Sequence, residues 1–322
     1  MHAVRIHRFG DESVLRYEAI PDLTPGPGEV RVAVKAASVN RGDLARRQGT
    51  YPGDVTFPAT LGFEVAGVID AVGDGIDRSR MGQRVVALGP QGGYAEQLVT
   101  LARAAAPLPD AINDDAGASI PVVFLSAWYG LVVTAKLQPG EWVLVQAGAG
   151  GTGLAAIQIA KHQGARVIAT ASSHEKLDFA RRHGADAVIN YEEQDFVEEA
   201  WRITDNAGVG VVYESVGGET FGESLGVLRA NGRLICIGNT VGKTANLDPT
   251  ALFRSNLSIH GLYLLPWVVS GAAWPILTDL IELVARGQLA VAIDRRYPLR
   301  DAAMAHRYLE QRKNFGKVVL HP

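Results

Sequence analysis

A single cysteine, Cys236, stands in a chain of 322 residues, so no internal disulfide can form and no cage of cysteines can hold a metal. Excess charge is also missing. Lysine and arginine number 31 against 34 acids, a formal net charge of -3, with no basic stripe of the kind a backbone-tracking nucleic-acid binder needs to displace counterions. No nucleic-acid partner is expected. Uninterrupted apolar runs are few. Ala116 to Ala135 and Gly261 to Thr278 approach spanning length, but Pro121 interrupts the first, and Pro266, Gly271 and Pro275 break up the second. Both read as buried core or subunit-interface segments rather than membrane spans. The N-terminus, Met1-His2-Ala3-Val4-Arg5, has no long apolar core of the signal-peptide kind. A reducing, cytoplasmic location is expected. The eight histidines form no metal-like cluster, and Cys236, inside an apolar strand, reads as an inert core residue.

What is present changes character near residue 120. Before it, short apolar runs such as 30–35 and 84–88 alternate with turn signals at Pro25-Gly26-Pro27-Gly28, Pro52-Gly53 and Gly92-Gly93, the pattern of a small β-rich domain. After it, strands alternate with helices. Val143-Leu144-Val145 leads into a helix from about Thr152 to His162. Arg166 to Ala169 leads into a helix through His174 to Arg182. Ala187-Val188-Ile189 precedes an acidic helix starting near Glu192, and 211–213 and 234–237 continue the rhythm. Such alternation predicts right-handed crossovers and a doubly wound parallel sheet, an α/β fold. From about Pro266 come a helix (274–286), a strand-like Val291-Ala292-Ile293, a helix (302–311) and a final strand from Lys317. The expected domains are 1–120, completed by 266–322, and 121–265.

The sharpest motif is the loop from Ala147 through Gly148, Ala149, Gly150, Gly151 and Thr152 to Gly153, which ends one strand and opens a helix. In the spacing Ala147-x-x-Gly150-x-x-Gly153, the first small residue lets the strand turn, Gly150 lets backbone approach a pyrophosphate, and Gly153 lets helix pack on sheet. The positive helix N-terminus would carry the phosphates. A glycine-rich turn without a ligand is the plain alternative, and the strand, the helix and the βαβ series that follows weigh against it. At the tip of the second strand, where NAD binders place an acid on the ribose, the chain reads Thr170-Ala171-Ser172-Ser173. A 2′-phosphate meets no repulsion there. The serine hydroxyls and Lys176 could donate to it, although a lone helix lysine is more often simply solvated. NADP(H) is the expected cofactor.

With these residues the chain resembles the medium-chain dehydrogenase/reductase superfamily, in its zinc-free quinone oxidoreductase (zeta-crystallin-like) branch. The matching stretches, spread over the whole chain, are 25–30, Ala37 to Asp43, Gly62-Phe63-Glu64-Val65-Ala66-Gly67, Gly92 to Glu96, the 147–153 loop and Tyr213-Glu214-Ser215-Val216-Gly217. The resemblance implies a GroES-like catalytic domain joined to a Rossmann domain. It also implies a homodimer through the segment around Ile259 to Leu264. The zinc-dependent branch takes its metal from a cysteine and a histidine at positions that here hold Asn40 and Phe63, so no metal is expected. An unactivated alcohol then has no Lewis acid to help it lose its proton, whereas a quinone or enone is already electron-poor.

The resemblance further implies roles for individual residues. Asn40 would donate to an acceptor oxygen, unless it only shapes an Asx turn. Tyr51 would line the pocket, or give a proton as in the related enoyl-thioester reductases, unless it merely packs beside Pro52. Ser126 stands where the family has a threonine near the nicotinamide. Tyr191 would sit near the adenosine phosphate, Gly238 and Asn239 at the carboxyl edge of the fifth strand, and Lys317 against the cofactor. The leading expectation is an NADPH-dependent quinone reductase. An enoyl-thioester or enone reductase is its nearest rival. A nucleotide-binding protein of little turnover, whether regulatory, RNA-binding or crystallin-like, is the rival from another class.

Overall fold

Val30, Val32 and Val34 point inward along an 11-residue strand, Glu29–Val39, whose alternate residues are less buried. That period of two is what a sheet with one covered face requires. In this structure, a computed structural model that describes every residue except Pro90, this strand is the spine of the first of two units, 1–125 with 265–322. It pairs antiparallel with Glu64–Val72, with Gln97–Leu101 and with the C-terminal strand Lys317–His321. Outward from these lie Ile293–Pro298, beside the C-terminal strand, and Arg84–Leu88 and Ala105–Pro107 on the other side. A second small sheet joins Arg16–Ala19, His2–Ile6 and Ala59–Thr60. The β-strands, Leu44 of the Arg41–Gln48 helix and Leu309 of the Ala302–Glu310 helix share one apolar core.

Two registers in this unit decide where the chemistry sits. Ala36 faces Ala66 and Ala37 faces Val65 across the antiparallel pair, so Ser38 comes level with Glu64. Val318 faces Val39 on the other side, so Lys317 comes level with Asn40. Residues distant in sequence are thereby brought to one end of the spine strand.

The second unit, 126–264, is a six-stranded sheet with every pairing parallel. Its order is Ala187–Asn190, Arg166–Ala171, Trp142–Val145, Val209–Glu214, Leu228–Cys236 and Ser258–Gly261. The chain starts in the middle, runs to one edge, then returns and runs to the other. The doubly wound order leaves a topological switch point between Trp142–Val145 and Val209–Glu214. Strands such as 209–214 are buried along their whole length, as a sheet covered on both faces demands.

Two boundaries differ from the sequence reading. The acidic helix begins at Phe196, not near Glu192, because Asp195 caps it, with its carboxylate accepting the Val197 and Glu198 N–H groups. Asn190 instead closes a turn by accepting the Glu192 N–H at 3.2 Å. The strand expected at Val291 to Ile293 runs over Ile293–Pro298, an edge strand whose Asp294, Arg295 and Arg296 gave no apolar signal. The segment 116–135 divides into the Asp114–Ala118 helix, the Pro121–Trp128 helix and a π-helical stretch, Tyr129–Thr134. Among the described residues no helix is long and apolar enough to cross a membrane.

Candidate functional site

In the first unit the two registers bring an amide, a carboxylate and an ammonium together. Asn40 Nδ2 donates to Glu64 Oε1 at 2.9 Å and, over a longer 3.4 Å, to the Ser38 carbonyl. Lys317 Nζ donates to Asn40 Oδ1 at 2.6 Å and to Glu64 Oε1 at 3.0 Å. Glu64 Oε2 accepts the Val122 N–H at 2.7 Å. Asn40, Glu64 and Lys317 are all buried, so the ion pair works at a low dielectric, where both its attraction and the cost of losing one partner are large.

Asn40 is also the N-cap of the Arg41–Gln48 helix and forms a capping box with Asp43, while its amide reaches Glu64 and Lys317. Asp43 Oδ2 accepts the Asn40 N–H at 2.8 Å, and its other oxygen accepts the Gly62 N–H at 3.1 Å. One buried carboxylate thus ties the Asn40 turn to the Gly62-Phe63-Glu64 strand entry. Burial pushes the Asp43 carboxyl up to about 7, against the pull of its hydrogen bonds from Asn40 and Tyr94. Gly62 has φ +94°, and an added Cβ would lie 2.7 Å from the Tyr94 nitrogen, so only glycine fits.

Tyr51 follows the helix, past the left-handed Gly49. Its ring lies 5.3 Å from that of Phe63, and the Arg46 Cζ sits 5.4 Å and 5.5 Å from the two ring centres. Gly42 makes room for both rings, since a Cβ there would meet Phe63 at 3.0 Å and Tyr51 at 3.1 Å. Tyr51 remains partly exposed, with a cation over its ring.

In the second unit, Trp142–Val145 runs into the glycine loop and the Gly151–His162 helix, with Gly150 at the N-cap. The small residues divide the work unevenly. A Cβ on Gly153 would stand 2.4 Å from the Ala147 carbonyl oxygen, so the helix can cross the strand end only with glycine there. A Cβ on Gly150 would meet only the Ala147 carbonyl, at 3.4 Å, so the space before the helix N-terminus lies open. Ala147 holds φ +54°, a left-handed turn that glycine usually makes. The loop is fastened from behind. Gln146 Nε2 donates to Ser224 Oγ at 3.1 Å, and its Oε1 accepts from Thr170 Oγ1 at 2.5 Å, all three residues being buried. The donor N–H groups of Gly151, Thr152 and Gly153 and the open face beside Gly150 fit a dinucleotide pyrophosphate.

The remaining expected residues distribute as follows. Ser172 and Ser173 follow the Arg166–Ala171 strand, and Ser173 Oγ caps the next helix through the Lys176 N–H at 3.4 Å. Thr170, in contrast, turns its hydroxyl inward. Tyr191 is exposed just beyond Ala187–Asn190, its N–H on the Ala171 carbonyl. Gly238 and Asn239 follow Leu228–Cys236, and Asn239 Nδ2 bonds the Lys243 carbonyl. Ser126 lies in the Pro121–Trp128 helix. Lys317 directs its ammonium to Asn40 and Glu64. Sequence reasoning did not single out Glu64 or Asp43, although both lie inside quoted motifs. Among the described residues no group of three or more histidine, cysteine, aspartate or glutamate side chains is arranged to hold a metal ion.

Two family profiles match the chain: the alcohol dehydrogenase GroES-like domain over residues 26–110 and the zinc-binding dehydrogenase domain over residues 151–282. A quinone oxidoreductase of Pseudomonas aeruginosa is 35% identical over 99% of this chain and 99% of its own length. One of the phenolphthiocerol/phthiocerol polyketide synthase proteins of Mycobacterium tuberculosis is 36% identical over 98% of this chain, which spans only 14% of that protein. Among solved structures, Escherichia coli quinone oxidoreductase complexed with NADPH superposes with a TM-score of 0.94 at 33% identity, covering all of both chains. The mycobacterial protein Rv1454c complexed with NADPH superposes with the same score at 35% identity, again covering all of both chains.

Proposed function

The chain belongs to the medium-chain dehydrogenase/reductase superfamily, in its quinone oxidoreductase branch, and from that premise we propose that it is an NADPH-dependent, zinc-independent reductase of quinones or similarly electron-poor carbonyl acceptors. The observation that carries this reading is the occupancy of positions 40 and 63. Where zinc-dependent relatives take their metal, this chain has an amide bonded to Lys317 and Glu64, and a phenyl ring packed on Tyr51. Neither side chain is a zinc ligand. What remains there is hydrogen-bond donation, which suits an acceptor that needs no Lewis acid.

NADPH, when bound, supplies the hydride; the other requirements fall on the chain's own groups. Lys317, 2.6 Å from Asn40 Oδ1, polarises that amide and strengthens its N–H groups as donors. The Nδ2 hydrogen that makes only the long bond to Ser38 is the one an acceptor oxygen can take over. The backbone donors of Gly151, Thr152 and Gly153 would hold the pyrophosphate, and the acid-free Ser172-Ser173 tip with Lys176 would accommodate the 2′-phosphate. Two NADPH-complexed relatives support the cofactor assignment.

A second reading, reduction of an enone or enoyl thioester, is favoured by the identity with a polyketide synthase segment and by the partly exposed Tyr51, a phenol able to give a proton. We read the assembly as a homodimer, on the free edge of Ser258–Gly261 flanked by exposed Phe253 and Tyr263. We place it in a reducing cytoplasm, on its one free thiol. Following NADPH oxidation with quinones, enones and enoyl thioesters, in the presence of a chelator, tests the reading. Quinone turnover that survives chelation supports it, and turnover that depends on stoichiometric zinc refutes it.

A further inference from the structure

A second set of buried polar groups in the first unit plays no part in that reading, and its hydrogen bonds run in one direction. It begins at Arg47, fully buried on the Arg41–Gln48 helix. A guanidinium has donors only. Its Nη1 lies 3.2 Å from His306 Nδ1, so that nitrogen must accept, and the imidazole carries its hydrogen on Nε2. His306 Nε2 lies 3.1 Å from the Tyr94 hydroxyl and therefore donates to it. The hydrogen of Tyr94 then goes to Asp43, the carboxylate that receives the Asn40 and Gly62 N–H groups. The outer end is anchored at Glu310, which takes both the Arg47 Nη2 and the Gln48 Nε2.

Every member from Arg47 to Asp43 has no exposed surface. Burial, with the Arg47 cation beside it, pushes His306 down to about 3, so the imidazole is neutral and its tautomer single. Apolar replacements for such a chain can be neutral for stability, so stability alone does not account for it. What it ends on does. Asn40 and Glu64 come from different strands, and their side chains must meet at 2.9 Å. Asp43 is the clamp between the two strand ends, and Tyr94, locked edge-on against the His306 ring at 81°, holds the clamp's orientation.

We propose that His306 is a positioning residue of the reaction, acting through Tyr94 and Asp43 to keep the Asn40 amide registered against Glu64. It rests on the reading of Asn40 as the donor to the acceptor oxygen.

Three variants test it. Tyr94→Phe removes one hydroxyl from the middle of the chain and keeps the ring. His306→Gln keeps an acceptor for Arg47 and a donor for Tyr94. His306→Leu keeps neither. For each, kcat and KM with a quinone, NADPH affinity and amide hydrogen exchange in residues 38–48 and 60–66 are measured in the full chain, alone and combined with Asn40→Ala. Tyr94→Phe and His306→Leu are expected to lower kcat ten- to a hundredfold and to speed exchange in both segments, with NADPH affinity changed less than twofold. His306→Gln should stay within threefold of the parent. In the Asn40→Ala background Tyr94→Phe should cost nothing further.

An undiminished kcat for Tyr94→Phe, or a full additional loss on top of Asn40→Ala, overturns the proposal. Should His306→Leu fail to fold, Tyr94→Phe and His306→Gln decide it. Should Asn40→Ala itself leave turnover unchanged, the donor reading of Asn40 falls. The exchange rates then decide the rest: unchanged exchange in Tyr94→Phe rejects the clamp as well.

Discussion

Lys317 and Asn40 sit side by side because the C-terminal strand pairs antiparallel with the spine of the first unit, and Val318 faces Val39. The ammonium, 2.6 Å from the amide oxygen and 3.0 Å from Glu64, is the only cation bonded to that buried carboxylate among the described residues.

Removing that cation should therefore be costly. Lys317→Met leaves Glu64 buried with amide donors alone, and a loss of about 3–5 kcal/mol of unfolding free energy is expected. Adding Glu64→Gln should recover most of it. Urea unfolding of the single and double variants makes the comparison; equal losses in both would show that packing, not charge, is what Lys317 supplies.

A proton must follow the hydride, and Tyr51 and Asn40 divide that task differently by acceptor. A hydroquinone anion is weakly basic and water can protonate it, whereas an enolate carbon profits from a placed acid. Tyr51→Phe should slow enone reduction by about ten- to a hundredfold and barely affect quinones. Asn40→Ala should slow both. The measurement is kcat/KM on one substrate of each kind, and unchanged enone turnover in Tyr51→Phe would make the ring only a wall.

Cofactor preference should rest on Lys176. Its helix is capped by Ser173, which places the lysine one turn from the acid-free tip. Lys176→Ala is expected to weaken NADPH by about 1–3 kcal/mol while leaving NADH nearly unchanged. Titration of both cofactors by tryptophan fluorescence checks this, and equal losses for the two would remove Lys176 from the 2′-phosphate.

Two buried groups titrate in opposite senses. His306 is held down to about 3 from 6.5, so below pH 6.5 the unfolded chain takes a proton the folded one refuses, and stability falls as the solution is acidified. Asp43 is held up to about 7 from 3.8, so between those values the folded chain keeps a proton the unfolded one has lost, and stability falls as pH rises. From about pH 4 to 6.5 the two contributions cancel. Each has a slope of up to about 1.4 kcal/mol per pH unit. His306→Gln should unmask the Asp43 slope, becoming less stable between pH 4 and 6.5 relative to its own value at pH 4. Asp43→Asn should do the reverse. Urea midpoints at half-unit pH steps measure both, and parallel pH profiles for parent and variants would contradict the assignment.

The second unit was the more legible in the sequence. Its central strands, such as Val209–Glu214, are buried on both faces and read as continuous apolar runs, and the glycine loop before Thr152 marks a strand-to-helix turn. The family motifs also pointed to Asn40 and Tyr51. What stayed hidden was pairing across sequence distance. Nothing local to His306, an ordinary residue on an amphipathic helix, signals that Tyr94, 212 residues away, receives its hydrogen. Likewise Lys317 stood out only weakly, because its place beside Asn40 follows from strand register, which local periodicity does not encode. The helix starts at Phe196 rather than near Glu192 because Asp195 caps it, while Asn190 closes the turn that precedes it.

The Gln146 anchorage bears on how a ligand would be received. Thr170 and Ser224 hold that side chain, and the Gln146 N–H bonds the Tyr213 carbonyl, so three strands and a helix fix the base of the glycine loop before anything binds. The freedom this loop loses is lost when the chain folds. Association then carries little ordering penalty from the protein side, and the entropy of binding reflects mainly the ligand's own torsions and the water released from the open face beside Gly150.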